Sequence, residues 1–176
     1  MKINKNNISA QERFSGNIRM RRVWHKDGEQ VMINNSMFTT GKDDWETPQG
    51  FFDNLNNEFN FTLDPCCTPK TAKCKKYYTP EDDGLSKSWQ GETVFCNPPY
   101  SSGKQDKWVK KCHEEAQKPN TTVVALLPAR TDTVRFHDYI LGKAEIRFVR
   151  GRLKFGGSKN SAPFPSMIVI WRKNNL

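Results

Sequence analysis

The stretch Val94-Phe95-Cys96-Asn97-Pro98-Pro99-Tyr100 decides how the rest of the chain is read. An apolar run stops abruptly at Asn-Pro-Pro-Tyr, the pattern of a buried strand that delivers a rigid polar turn to its carboxyl end. Each proline fixes its own φ, removes a backbone donor and pushes the preceding residue out of the helical region. The carbonyls of this turn are therefore stiffly aimed and free to accept hydrogen bonds from something else. Asn97 adds a side-chain carbonyl beside them, and Tyr100 adds an aromatic face. Two acceptors next to a stacking surface suit a planar group that bears an exocyclic amine. Asn97, Pro98, Pro99 and Tyr100 are thus the candidate catalytic residues.

On the carboxyl side, Asp106 to Gln117 reads as a helix with Trp108, Val109 and Cys112 on one face and lysines on the other. Thr122 to Pro128 is a continuous apolar strand of the kind buried on both faces. Arg130 follows it and leads into a helix from about Asp132 to Leu141. Ala144 to Phe155 alternates in polarity and carries Arg147, Arg150, Arg152 and Lys154. A Gly- and Ser-rich loop and Ala162-Pro163-Phe164-Pro165 then precede a last strand, Met167 to Trp171.

On the amino side, Asp43-Asp44-Trp45-Glu46-Thr47-Pro48 is a punctuation mark. Thr47 suits the cap of a helix with Pro48 in its first turn, and Phe51, Phe52, Leu55 and Phe59 recur at helical spacing, so Gln49 to Glu58 is predicted helical. The start of that helix is a natural anion site. Phe59 to Leu63 alternates like a strand and runs into Asp64-Pro65-Cys66-Cys67. An acid at a strand's carboxyl end, followed by a tight loop of small residues, stands where open α/β sheets bind ligands. Tyr77-Tyr78 is expected to close a second short strand. The acidic loop Glu81-Asp82-Asp83-Gly84-Leu85 comes next, with Trp89 beyond it. Strands alternating with helices, then a final strand pair, indicate an α/β fold: a mostly parallel central sheet with helices on both faces.

At 176 residues the chain fits one core-forming domain, and its net charge of +9 points to a polyanion, with nucleic acid foremost. The first 41 residues are polar and basic, with Arg21 and Arg22 among the cations around Trp24; they read as an arm, flexible in this reading, with one short strand at Val31-Met32-Ile33. No apolar run approaches the roughly 20 residues that span a membrane, so a cytoplasmic protein is expected. The five cysteines are odd in number and one lies inside a buried strand, which argues for reduced thiols. The spacing of Cys66, Cys67, Cys74 and His113 matches no standard zinc site, and no metal is expected.

Taken together, these segments resemble the phage-type DNA N6-adenine methyltransferases (Dam-like), which use S-adenosylmethionine. The resemblance covers roughly Asp43 to Arg172. It is carried by Trp45-Glu46-Thr47-Pro48, Leu63-Asp64-Pro65-Cys66, Asp83-Gly84-Leu85 with Trp89, and Asn97-Pro98-Pro99-Tyr100, in that order. It implies a Rossmann-like S-adenosylmethionine-dependent methyltransferase fold, with a catalytic domain over residues 42–176 after the 1–41 arm, in the cytoplasm of a bacterial host.

The cofactor residues it implies are Trp45, Thr47, Pro48, Asp64, Pro65, Cys66, Asp83, Gly84, Leu85 and Asn97. Thr47 and the helix start would hold the methionine carboxylate, Asp64 the methionine amino end, and Asp83 the adenine amino group, with Leu85 or Trp89 walling that ring. Asn97 and the Pro98 carbonyl would accept from N6 of a target adenine flipped from double-stranded DNA, and Tyr100 would stack on it. Arg21, Arg22, Arg130, Arg147, Arg150, Arg152 and Lys154 are the expected DNA contacts, at a short site for which GATC is the family's suggestion.

The chain departs from the family in three places, the first being Asn97, where many relatives carry Asp, although the Asn amide oxygen still accepts. No acid closes Lys73 to Tyr78 for the cofactor ribose, leaving Glu81 or Asp82 as substitutes, and the loop after Asp64 lacks glycines. Related enzymes with RNA or protein-glutamine substrates share the Asn-Pro-Pro-Tyr motif, and a non-catalytic nucleic-acid-binding module stays open as well. Oligomeric state is not legible.

Overall fold

A computed structural model describes the backbone of residues 20–24, 30–34 and 45–173, and the side chains of 45–173 apart from that of Ser102. The chain forms two compact units, Met1–Gly41 and Lys42–Leu176. In the first, strands β1 (Met20–Trp24) and β2 (Gln30–Asn34) pair antiparallel, with Val23 opposite Val31. Arg21 and Arg22 fall within β1; their side chains lie outside the described residues.

The second unit is built on a six-stranded sheet. Its strands are β3 (Leu63–Asp64), β4 (Lys76–Tyr77), β5 (Thr93–Cys96), β6 (Thr122–Pro128), β7 (Glu145–Phe148) and β8 (Ser166–Arg172), in the spatial order β4-β3-β5-β6-β8-β7. Strands β4, β3, β5 and β6 are parallel neighbours. Only β8 runs the other way, between β6 and β7. The sheet is thus mostly parallel, with an antiparallel final pair, as the pattern of apolar runs predicts.

Strand β6 shows why. Its residues Val123 to Leu127 are all buried, and alternation sends them to two different cores. Val123, Ala125 and Leu127 join Val109 and Cys112 of helix α2 (Ser102–Glu115), Phe136 of α3 (Val134–Tyr139) and Ile140 at its C-cap. Val124 and Leu126 face the opposite cluster, against which Phe51, Leu55 and Phe59 of helix α1 (Gln49–Phe59) pack. Helices therefore cover both faces.

Three boundaries differ from the sequence reading. Phe59 closes α1 instead of opening a strand, because Asn60 takes the left-handed conformation (φ 55°) and Asn56 Oδ1 accepts the Phe61 N–H at 2.8 Å. Helix α2 starts four residues early, directly on Ser101 behind the Pro-Pro-Tyr turn. The alternation from Ala144 to Phe155 yields a strand only as far as Phe148; the rest is loop.

Candidate active site

The chain leaves β3 for β4 on one side and returns to β5 on the other, so the sheet's topological switch point lies between β3 and β5. Crevices at such points, outside the carboxyl ends of the strands, are where α/β sheets bind ligands. A cavity of about 410 Å³ opens here, lined by Asp64 at the end of β3, Thr79 and Pro80 after β4, and Asn97 and Pro99 after β5. Trp45, Glu46 and Thr47 close one side, and Lys104 and Trp108 of α2 close another. Its size falls in the roughly 300–1,000 Å³ range of small-molecule sites.

Asn97 is held on every side. Its amide nitrogen donates to the Trp45 carbonyl and, at 3.0 Å, to the Thr47 hydroxyl. Its Oδ1 accepts the Tyr100 hydroxyl at 3.0 Å, and its backbone carbonyl accepts the Cys66 thiol at 3.2 Å. Thr47 is buried and makes no cap bond to α1, where Pro48 is the cap residue. The expected helix cap is in fact an anchor for Asn97: Pro48 fixes the extended backbone that turns the Thr47 side chain toward the motif.

Tyr100 also departs from expectation. Its ring is only 9 % exposed and sits among Trp45, Phe155 and Phe164, with Trp45 stacked at 6.2 Å and the other two edge-on. Its hydroxyl reaches Asn97 Oδ1 and the Leu126 carbonyl. The ring is largely covered in this fold, and its hydroxyl ties it to Asn97. Burial pushes its pKa well above the usual tyrosine value, so the hydroxyl stays a donor.

Asp64 is 3 % exposed. Its carboxylate accepts the Lys73 backbone N–H at 3.1 Å and the Cys66 N–H at 3.4 Å, which folds the 65–73 loop around it in place of glycines. Burial raises its pKa to about 6 against the pull of those two N–H bonds. The Lys73 ammonium lines the same cavity and donates to Gln49 Oε1 at 3.1 Å, beside the start of α1. An acid and a cation thus share one end of the cavity.

Gly84 packs on the loop after β3 so tightly that a Cβ there would lie 2.1 Å from the Pro65 carbonyl oxygen. Asp83 lines the cavity in a left-handed conformation (φ 51°). Trp89 is fully buried: its indole donates to the Gly84 carbonyl at 3.0 Å, and its ring stacks behind Trp108. The aromatic wall of the cavity is therefore Trp108, and neither Trp89 nor Leu85 belongs to the lining. At the end of β4 the lining residue is Thr79, whose hydroxyl donates to Asp82 at 2.8 Å; Glu81 and Asp82 stand outside the cavity.

Of the residues expected at the cofactor, Trp45, Thr47, Asp64, Pro65, Cys66, Asp83, Gly84 and Asn97 line the cavity, and Pro48 and Leu85 do not. Pro98 is buried behind Pro99 in the same turn. Lys73, Thr79, Lys104 and Trp108 were not anticipated. Lys73 is one lysine in a run of them, and nothing in the linear sequence sets it apart; Trp108 had a signal, since it lies one helical turn from Lys104 behind the motif.

Among the expected DNA contacts, Arg130, Arg150, Arg152 and Lys154 are exposed in the loops that follow β6 and β7. Those loops rise from the same carboxyl edge of the sheet as the cavity, because β7 runs parallel to β6. The 149–165 loop is rooted at the motif: Phe155 and Phe164 flank Trp45 edge-on, and the Gly156 N–H donates to the Glu46 carbonyl at 2.9 Å. Arg147 differs. Its guanidinium grips both carboxylate oxygens of Glu58 on α1 at 2.6 and 2.8 Å, donates to Glu145 and covers the Phe59 ring, which makes it a brace between β7 and α1.

An open, mostly parallel sheet with a cavity at its switch point and Asn-Pro-Pro-Tyr at its rim defines an α/β methyltransferase. In agreement, the fold is shared with a Pyrococcus horikoshii protein provisionally assigned as an RNA methyltransferase (TM-score 0.51, 11 % identity, 74 % of this chain and 87 % of that one). The family model for DNA N-6-adenine-methyltransferase (Dam) matches residues 35–175. The chain is 30 % identical over 149 residues to the DNA N-6-adenine-methyltransferase of Haemophilus phage HP1, covering 80 % of this chain and 85 % of that protein. It is also 31 % identical over 114 residues to the enzyme of the same name from Escherichia phage T1, covering 64 % of this chain and spanning about half (47 %) of the T1 protein. The chain belongs to the DNA N-6-adenine-methyltransferase (Dam) family. Among the described residues, no helix is long and apolar enough to cross a membrane.

Proposed function

We propose that the protein transfers the methyl group of S-adenosylmethionine to N6 of an adenine extruded from double-stranded DNA, within a short site such as GATC. The observation that carries this reading is the clamped amide of Asn97. With both amide hydrogens engaged by Trp45 and Thr47, Oδ1 is the acceptor that the Asn97 side chain keeps for a substrate, with room in its valence for a second hydrogen bond beside the one from Tyr100.

The cavity fits the cofactor's chemistry. Asp64 matches its ammonium group, and Lys73 with the first turn of α1 matches its carboxylate. Trp108 offers a flat wall for the adenine ring and Asp83 an acceptor for the adenine amine. Thr79, its proton given to Asp82, offers an oxygen to the ribose in place of the missing acid. When bound, the cofactor supplies an electrophilic methyl on a positively charged sulfur.

Asn97 Oδ1 and the Pro98 carbonyl accept the N6 hydrogens of the target, so the nitrogen lone pair is drawn out of the ring's conjugation and aimed into the cavity. The cofactor would give up its methyl carbon to N6 and keep the carbon–sulfur electron pair on sulfur, and the surplus N6 proton would pass to solvent. Positioning and electrostatics supply the catalysis, with no covalent intermediate on the protein. The exposed Arg130, Arg150, Arg152 and Lys154, on the β6–β7 side of the cavity, take the duplex.

The test is transfer of labelled methyl to unmethylated duplex DNA with nucleoside analysis of the product. N6-methyladenine is expected, and Asn97→Ala should abolish it while DNA affinity changes by no more than a few fold. Label entering RNA or a Gly-Gly-Gln peptide, but not DNA, overturns the substrate.

A further inference from the structure

Phe148 is the last residue of the edge strand β7, and it is 66 % exposed. Alternation puts it on the same face as Ile146, which packs against the core under α2 and α3, but Phe148 stands beyond that core. Its place is fixed by register. Phe148 pairs with Met167 and Met167 with Leu127, two residues past Ala125, which pairs with Cys96 at the end of β5. Phe148 therefore lies level with Pro98 of the catalytic turn, three strand spacings or about 14 Å along the rim. Two exposed cations, Arg150 and Arg152, follow it two and four residues on in the loop that leaves the same rim.

A single exposed apolar residue needs no explanation. An exposed aromatic ring level with the catalytic turn, with two exposed arginines following it in the chain, is another matter. Extruding an adenine leaves a gap in the base stack and an unpaired partner base, and a flat apolar side chain that enters the gap recovers the lost stacking. We propose that Phe148 is this wedge: its ring enters the duplex where the target adenine has left, while Arg150 and Arg152 hold the flanking phosphates. The inference rests on the reading of extruded duplex adenine as substrate and adds the element that stabilises the extruded state.

The experiment compares single-turnover methylation of two duplexes, one with the target adenine opposite thymine and one with it opposite an abasic site, where no base pair opposes extrusion and no partner base is left orphaned. Phe148→Ala should slow the paired duplex roughly 10- to 100-fold and the abasic duplex by less than about threefold, and Phe148→Trp should keep most of the rate on both. The melting temperature of Phe148→Ala without DNA should match the wild type, because the ring is bare in the free protein. Equal slowing on both duplexes, or none on either, overturns the wedge. So does a drop of several degrees in melting temperature, which would show the ring covered by the first 41 residues or a second copy of the chain. A wild-type protein that methylates neither duplex sinks the DNA reading itself, and the wedge with it.

Discussion

The side-chain amide of Asn97 donates to the hydroxyl of Thr47, 3.0 Å away and fifty residues earlier in the chain. The Trp45 carbonyl, which can only accept, fixes which way round the amide stands, and the Thr47 hydroxyl takes its second hydrogen. Thr47→Val keeps the shape of the side chain but removes the acceptor, leaving the Asn97 amide nitrogen with the Trp45 carbonyl as its one partner. Losing such a part-buried partner costs about 1–3 kcal/mol, so kcat should fall roughly 5- to 100-fold with DNA affinity unchanged. Thr47→Ser should restore most of the rate. A Val variant with wild-type kcat would show that Trp45 suffices.

Tyr100 yields a sharper test because the buried ring and the stacking ring predict opposite results. Tyr100→Phe keeps the ring packed among Trp45, Phe155 and Phe164 but removes the hydroxyl from Asn97 Oδ1 and the Leu126 carbonyl. A residue that only stacked on the target base would tolerate the change. In this fold kcat should drop by about an order of magnitude, from a net loss of about 1 kcal/mol or more in positioning Asn97. Tyr100→Ala should unfold more readily, by about 3–5 kcal/mol, as large aromatic truncations in a core do. Activity of the Phe variant, read beside thermal melting of the Ala variant, settles which role holds.

The sequence made the frame legible because its signals are local. Thr122 to Pro128 is apolar throughout and is a central strand; the Pro-Pro turn marks the end of β5; the order of short motifs follows the order of strands around the cavity. What stayed hidden depends on contacts distant in the chain. Thr47 looks like a helix cap until Asn97 is beside it, and Arg147 looks like a DNA contact until Glu58 of α1 takes both its ends. Trp89 and Trp108 are indistinguishable as apolar residues; only the packing of α2 shows that one is core and the other wall.

The two arginines of the β7 region should accordingly separate. Arg147→Ala breaks the pair with Glu58 and uncovers Phe59, so it should lower the melting temperature by a few degrees with DNA affinity within about twofold. The effect stays modest because the pair is largely solvent-exposed. Arg150→Ala should leave melting unchanged and weaken DNA binding, with the slope of log affinity against log salt reduced by about one. Reversal of these outcomes would assign Arg147 to the duplex.

Gly84 is constrained by space. Its Cβ position lies 2.1 Å from the Pro65 carbonyl oxygen, which is backbone and cannot rotate away. Gly84→Ala must separate the 83–85 loop from the loop after β3, moving Asp83 relative to Asp64. Cofactor affinity measured by calorimetry should fall at least tenfold while the sheet, followed by far-ultraviolet dichroism, persists. Wild-type affinity would mean the loops separate at no cost to the cavity.

Asp64 sets a pH dependence whose sign can be worked out. Burial raises its pKa to about 6 in the folded protein, against 3.8 for the ordinary carboxyl, and the N–H groups of Lys73 and Cys66 oppose that rise. A group with a raised folded pKa stabilises the fold fully below its unfolded value and loses that contribution as pH rises through the folded one. The protein without cofactor should therefore lose stability between about pH 4 and 6 through this group. The cofactor's ammonium prefers the ionised carboxylate, so its affinity should rise with pH up to about 6 and level off above, with release of up to one proton on binding below the midpoint. Asp64→Asn should bind more weakly at pH 7.5 and lose most of this dependence. Calorimetric titration in two buffers of different ionisation enthalpy measures the proton directly, and an unchanged pH profile in the Asn variant would remove Asp64 from the cofactor's ammonium.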